Sequence, residues 1–416
     1  MNRSTLKIEF IAGVTSFFTT AYILIVNPLI LKDAGIPLGA GLIATICASV
    51  FGCLLMGWIA KAPIIVVPGM GVNAFFSYTI VQSFGLSWKQ GLAVVILSGL
   101  FFFIASVTTW GNKLVNGVPE SLKHGITTGI GLLLTFIGLQ KGMIIQPDET
   151  TFVQLGDFAH PVTLSTFIGL VVTLFLFVRG TRGGMLIGLF ITSLLTMLMT
   201  GDLSPQVTDV KLQDYLHLFA AADFSLWQIP FWLSVFSMTM IVVFENMGLL
   251  SGMLPDAKKF PRAYQVVAVS TITSGIFGTS PTVASAESSA GIAEGGKTGI
   301  PALVAAGLFL ASIFMLPIIG MIPENAVAPV LIIIGALMMK SVQEIPFRDF
   351  SEGFPAFLII SGIPLTGSIA DGLAFGFIAY PLIKIASGKW KQVSRMIYMI
   401  AGMFLIYFIA SAMMMH

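Results

Sequence analysis

Residues 63–76 read PIIVVPGMGVNAFF, and residues 278–296 read GTSPTVASAESSAGIAEGG. Both stretches interrupt long apolar runs with Gly and Pro, where a membrane helix would be expected. Each opens with a short piece that reads as extended, 64–67 and 282–286, and then becomes helical in pattern. Each follows two long apolar segments and precedes a third. Irregular backbone at membrane depth is tolerated only where protein or a wet cavity satisfies its polar groups. A lone Gly-x-Gly in a membrane helix is more often a packing device. Matched breaks at corresponding places of two halves point instead to a transporter binding site.

The composition sets the frame for this reading. Of 416 residues, 56% are hydrophobic and 10% are charged, against about 25% charged in a soluble domain. Many apolar runs are about 20 residues long, the length that spans a bilayer as a helix. The alternation of a membrane β-barrel is absent. The chain therefore reads as an all-α polytopic protein with the lipid bilayer as its solvent. Net charge is +2 with no basic block, so nucleic acid is not an expected partner. Cys47 and Cys53 share one apolar segment and read as small buried side chains rather than a disulfide or metal pair. The four histidines are scattered, and neither a metal site nor a cofactor is expected. The opening MNRSTLKIEF is too short and polar to precede a cleaved signal, so the first apolar run reads as a retained span.

The pattern predicts spans at 11–31, 40–60, 71–81, 90–110, 125–143, 161–177 and 184–200. A second set follows at 230–251, 261–277, 287–295, 301–321, 325–340, 354–365 and 369–386. Seven per half is odd, so the second copy enters from the opposite face, a 7+7 inverted repeat whose third and tenth segments are half-helices. An extra apolar helix, 394–414, either spans or lies against the bundle. Arg3, Lys7, Lys113, Lys123, Arg179, Arg182, Lys258, Lys259, Arg262, Lys389, Lys391 and Arg395 fall in alternate turns. Asp148, Glu149, Asp157, Asp202, Asp209, Asp214 and Asp223 occupy the opposite loops. The positive-inside rule then predicts a cytoplasmic N-terminus in the cell membrane.

Acids inside spans are costly and usually functional. Glu245 lies mid-span in SMTMIVVFENMGLLSG, and Glu287 opens the second half-helix. Neither has an Arg or Lys within helical reach in its own span, so each would be protonated or paired by a ligand's N–H groups. The bland alternative is a structural hydrogen bond between helices. A half-helix start carries free N–H groups with partial positive charge. Gly71, Asn73 and Ala74 sit at one such start, Ala286 and Ser288 at the other. Tyr22, Phe75 and Phe76 are candidates to flank a planar ligand, though ordinary packing is the commoner use of such rings. Glu294 stands beside Lys297 and reads as a loop residue. Asp371 lies at a turn, where it could be simply solvated.

Four stretches carry a family resemblance: GVTSFFTTAYILIVNP at 13–28, PGMGVNAFFSY at 68–78, GTSPTVASAESSAGIAEGGKTG at 278–299 and SGIPLTGSIADGLAFGFIAY at 361–380. Through them the chain resembles the nucleobase:cation symporters, and within these the AzgA-like purine permeases. The resemblance implies a core domain, 1–110 and 230–322, a gate domain, 111–229 and 323–390, and the extra helix at 391–416. It implies import of a purine nucleobase (hypoxanthine or guanine, with adenine a further candidate) by symport with a cation, here a proton, and it allows a homodimer. Substrate would sit between the half-helices, held by the acids of spans eight and ten, which fall on Glu245 and Glu287, with Asn73 beside them. AzgA-like members usually carry Asp on span eight followed by a Gly-Thr pair, where this chain has Glu245 and then Gly248 and Leu249. Uracil transporters of the wider family place His at the position of Leu249. Glu245 is therefore the first candidate for the coupling proton and Glu287 the second. The alternatives are the same fold carrying xanthine, urate or uracil, or coupling to sodium. Two glutamates argue against an anion carrier. No nucleophile–base pair points to an enzyme, and paired broken helices favour a carrier over a channel.

Overall fold

The computed structural model describes residues 3–108, 117–201, 212–224, 229–319 and 321–414. Lys113, Asp202, Asp209 and the expected end of the fourth span lie outside them. Among the described residues, nine helices are long and apolar enough to cross a membrane, and three shorter apolar helices accompany them. The chain is a multi-pass membrane protein with the 7+7 inverted repeat.

The first half runs through span 1 (Thr5–Asp33), span 2 (Leu38–Ala60), span 4 (Trp88–Val107), span 5 (Glu120–Lys141), span 6 (Pro161–Val178) and span 7 (Gly184–Thr200). Its third segment is strand β1 (Val66–Pro68), then a helix over Met70–Ala74 that widens into a π-helix over Phe75–Ser83. The second half repeats the order with span 8 (Ile229–Met253), span 9 (Phe260–Phe277), span 11 (Ile300–Ile319), span 12 (Glu324–Glu344), span 13 (Phe350–Thr366) and span 14 (Ile369–Ala386). Its tenth segment is strand β4 (Thr282–Ala284) and a short helix, Ser288–Ala293. Arg395–Met414 forms the extra helix and packs on span 14, with Phe404 against Phe377.

Packing obeys the repeat. Span 1 lies on span 11 and span 4 on span 8; span 6 packs on span 7 as span 13 packs on span 14. Spans 5 and 12 meet each other at the repeat axis. They meet at two glycines: a Cβ on Gly131 would lie 2.7 Å from the Gly335 carbonyl oxygen, and one on Gly335 would lie 2.3 Å from the Gly131 oxygen. Small residues at such crossings let membrane helices approach backbone to backbone.

Several details were not anticipated. Span 1 is not continuous but breaks at Ala21 and Tyr22. The hydroxyls of Thr19 and Thr20 bond back to carbonyls of Thr15 and Ser16 just before the break, and such back-bonding bends helices. The acidic loop after span 5 is a hairpin of β2 (Ile145–Asp148) and β3 (Phe152–Leu155). Its turn is tied by Asp148, whose carboxylate accepts from the Thr151 and Thr150 N–H groups and the Thr151 hydroxyl, and so is held below the usual carboxylate range. The linker between halves contains a helix, Leu212–Leu218, that buries Tyr215 and Leu218. Glu294 does not act within its own loop; it pairs with Arg182 from the turn between spans 6 and 7. Asp371 is half-buried in the first turn of span 14, and its N–H donates to Ser368 Oγ. Lys384, fully buried in span 14, pairs with Glu352 of span 13 at 2.6 Å, and Ser121 and Tyr380 also donate to that carboxylate.

Candidate functional site

β1 and β4 run antiparallel, with Val66 opposite Ala284, Val67 opposite Val283 and Pro68 opposite Thr282. Two three-residue strands cannot satisfy their outer edges alone, and side chains complete them. Asn246 Oδ1 accepts from the Ala284 N–H at 2.7 Å, while its amide donates to Val242 O. Ser288 Oγ accepts from the Ile65 N–H, and the Thr271 hydroxyl donates to Thr282 O. Cys53 is buried as expected, but its Sγ also lies 3.4 Å from the Val66 N–H as acceptor. The bonds Ser285 N to Ile65 O and Gly69 N to Pro281 O extend the ladder at both ends.

After each strand the chain turns into helix. There the N–H groups of Met70, Gly71, Ala286 and Glu287 find no acceptor among the described residues. All four residues line one cavity of about 530 Å³. Glu245 and Glu287 face the same space. Both oxygens of Glu287 are engaged, Oε1 by the Tyr22 hydroxyl at 2.5 Å and Oε2 by the Ser285 hydroxyl at 2.5 Å. Glu245 accepts no hydrogen bond from a described residue. The walls are apolar: Ile23, Ile126, Ile130, Ile241, Phe244 and Ile334. Glu120, Lys123 and His124, from the start of span 5, also border the cavity. Lys123 Nζ is 2.7 Å from Glu120 and lies 4.8 Å from the Phe244 ring centroid, next to Glu245 in sequence. The cavity thus reaches the end of the bundle where span 5 begins. Among the described residues no cluster of three or more His, Cys, Asp or Glu is placed to hold a metal.

A sequence model described as the Permease family matches residues 7–374. The chain belongs to that family. It is 45% identical over 381 residues to the nucleobase transporter PlAzg2 of Paenibacillus larvae, covering 90% of this chain and 76% of the relative. It is 37% identical over 421 residues to the guanine/hypoxanthine permease PbuO of Bacillus subtilis, covering 97% of each. Among solved structures, the transmembrane domain of the cyanobacterial bicarbonate transporter BicA superposes with a TM-score of 0.67 at 16% identity, over 89% of this chain and 98% of that one. At that identity the likeness concerns the fold. The resemblance drawn from the motifs holds, and the protein is a permease rather than an enzyme.

In this permease the structure gathers Tyr22, Gly71, Glu245, Ala286 and Glu287 around the cavity. Asn73, Ala74, Phe75 and Ser288, expected beside them, do not line it. They are fully buried. A little over half a helical turn separates their faces: Gly71 looks toward Ile130 of span 5, and Asn73 lies about 200° further round the helix. Both amide atoms of Asn73 are buried without a partner among the described residues, as is the Ser77 hydroxyl one turn on. Ser288 is committed to the backbone N–H of Ile65, just before β1. Tyr22 contributes its hydroxyl to Glu287 and is only 3% exposed, so it offers little ring face to a ligand. Sequence reasoning missed Ser285, Asn246, Lys123 and His124. Lys123 served there only as an orientation marker. Ser285 precedes Glu287 by two residues, a spacing legible only once the extended chain is known to turn between them.

Proposed function

We propose that the protein imports purine nucleobases, hypoxanthine or guanine foremost and adenine as a further candidate, by proton symport with alternating access. The observation that carries the reading is the cavity itself: two carboxylates and four unsatisfied backbone N–H groups converge between apolar walls. A purine presents ring and exocyclic N–H donors beside carbonyl and ring-nitrogen acceptors on a flat apolar body. Carboxylates accept the former and backbone N–H groups donate to the latter. The two relatives' names point the same way. Glu287 grips the substrate edge, and Glu245, which has no donor, carries the proton. Spans 1–4 and 8–11 act as a core, in segments 1–110 and 230–322. Spans 5–7 and 12–14 act as a gate, in 111–229 and 323–390. With the N-terminus cytoplasmic in the cell membrane, the cavity described here faces inward.

The test is uptake of radiolabelled hypoxanthine, guanine, adenine, xanthine and uracil in cells stripped of their own permeases, with and without a protonophore. Saturable uptake of a purine, collapsed by the protonophore, is expected. Uptake of uracil or xanthine alone would overturn the cargo. Uptake that survives the protonophore and needs sodium would overturn the coupling.

A further inference from the structure

Glu287 is not a free carboxylate. One of its two hydroxyl donors is distant in the chain and one is local: Tyr22 comes from the break in span 1, 265 positions away, and Ser285 from the residue after β4. An ionised carboxylate has about four acceptor sites, two on each oxygen. One on each oxygen is taken here, and one on each is left. The terminal torsion of a glutamate is otherwise broad, so the pair of donors fixes the plane in which the remaining sites lie. Glu245 has no such restraint.

We propose that Tyr22 and Ser285 are positioning residues that hold the Glu287 carboxylate so that its two oxygens meet two adjacent N–H groups of the ligand. This rests on the reading of the cavity as a purine site. Guanine carries a ring N–H next to an exocyclic amino group and engages both oxygens. Hypoxanthine has the ring N–H without the amino neighbour and engages one. Holding the plane therefore matters more for guanine, a difference that a merely structural role for the two hydroxyls would not produce.

The experiment is equilibrium binding of radiolabelled guanine and hypoxanthine to purified wild type, Tyr22→Phe, Ser285→Ala and Ser285→Thr, with thermal midpoints measured alongside. The expected result is guanine binding weakened about tenfold in Tyr22→Phe and Ser285→Ala, hypoxanthine binding weakened less than about threefold, and both retained in Ser285→Thr. Equal losses for the two bases, or no loss in either variant, would overturn the proposal. If Tyr22→Phe does not fold, Ser285→Ala against Ser285→Thr decides alone. A wild type that binds neither base refutes the purine reading and the positioning with it. A wild type that binds both, with unaffected variants, refutes the positioning alone.

A separate set of contacts lies on the face opposite the cavity mouth. Lys141, at the end of span 5, is 2.8 Å from Asp33 and 3.6 Å from Glu324. Lys32 is 2.7 Å from Glu324. The Tyr78 hydroxyl donates to Asp33 Oδ2 at 2.7 Å, and the Gln82 amide donates to Asp33 O. The partners come from spans 1 and 3 on one side and spans 5 and 12 on the other. At the mouth of the cavity Glu120, Lys123 and His124 belong to span 5 alone, and span 8 opposite them places no charged partner within 4.0 Å. We infer that this cluster is a latch that closes the far side while the near side is open, and that it parts when access alternates.

The test places a cysteine at Thr127, a cavity-lining position, and measures its labelling by a membrane-impermeant maleimide from each side of vesicles. Lys141→Met removes both contacts of that ammonium and should raise far-side labelling about fivefold. The exchanged pair Asp33→Lys with Lys141→Asp should bring it back toward the parent rate. Unchanged far-side labelling in Lys141→Met, with the parent labelled from that side when purine is added, would overturn the latch. Far-side labelling at background in every protein and condition would refute alternating access itself.

Discussion

Glu245→Gln should separate binding from coupling. The Glu245 carboxylate borders the cavity, accepts no hydrogen bond from a described residue, and follows Phe244, over whose ring Lys123 stands. Gln keeps the shape and length of the side chain but neither gains nor loses a proton. What it leaves untouched is the other half of the site: Glu287 with its two donors and the free N–H groups at both half-helix starts. One pH unit is worth about 1.4 kcal/mol, so symport of one proton per base sustains at most about tenfold accumulation per unit of gradient. In proteoliposomes with an inwardly directed gradient of one unit, the wild type should approach that ratio. Glu245→Gln should settle near a ratio of one whatever the gradient. Counterflow, which needs binding and alternation but no net proton movement, should persist. Retained proton-driven accumulation in Glu245→Gln would refute the assignment and move coupling to Glu287. A wild type that follows sodium and ignores pH would refute proton coupling altogether.

Glu287→Gln replaces one acceptor by a donor facing a hydroxyl or the ligand; a hydrogen bond to a charged group is worth about 1.5–3 kcal/mol, so affinity by calorimetry should fall more than about tenfold. Asn246→Leu orphans the Ala284 N–H at membrane depth, a loss of about 1–3 kcal/mol that should lower the thermal midpoint and disturb the half-site that presents Glu287. Gly335→Leu drives a Cβ into the Gly131 carbonyl and should sharply reduce the monodisperse fraction in detergent, whereas a leucine at Gly307, which meets nothing within 4 Å, should not. Asn73→Leu removes two buried polar atoms that have no partner among the described residues, so its midpoint should hold or rise; a fall would show that the amide is paired, and lost uptake at an unchanged midpoint would give Asn73 a role in transport.

What was legible in the sequence followed from rules that act locally. Span count, the inverted repeat and both half-helix breaks come from apolar length and from Gly and Pro. Glu245 and Glu287 were found because an acid in lipid is conspicuous whatever surrounds it. What was not legible needed knowledge of which way a side chain faces. Asn73 is two residues from Gly71, close in sequence and on another face of the helix. Tyr22 was read as a ring because its hydroxyl's partner lies 265 positions away. Lys123 begins a span and looked like any interfacial lysine, yet spans 5 and 8 bring it over Phe244. Lys384 and Glu352 were passed over because each lies near a helix end, although the pair is largely buried.

The hydrogen bonds of the crossing explain why this arrangement yields a binding site rather than a defect. A break in a single membrane helix would leave N–H and C=O groups in lipid, at several kcal/mol each. Two breaks that meet antiparallel satisfy most of these groups against each other, and Asn246, Ser288, Thr271 and Cys53 satisfy others from the side. The donors left over at Met70, Gly71, Ala286 and Glu287 sit just past the end of each strand, in the first turn of its helix or immediately before it, so no internal partner is available. Each half contributes two of them, from opposite directions, and the repeat brings them to one place. The acids then supply the acceptors that the backbone at this point lacks. Donors fixed by the backbone and acceptors carried on side chains give a ligand with alternating N–H and carbonyl groups a complementary edge. The same division makes the site adjustable: a change of acid or of its positioning hydroxyls alters which base fits while the crossing itself stays intact.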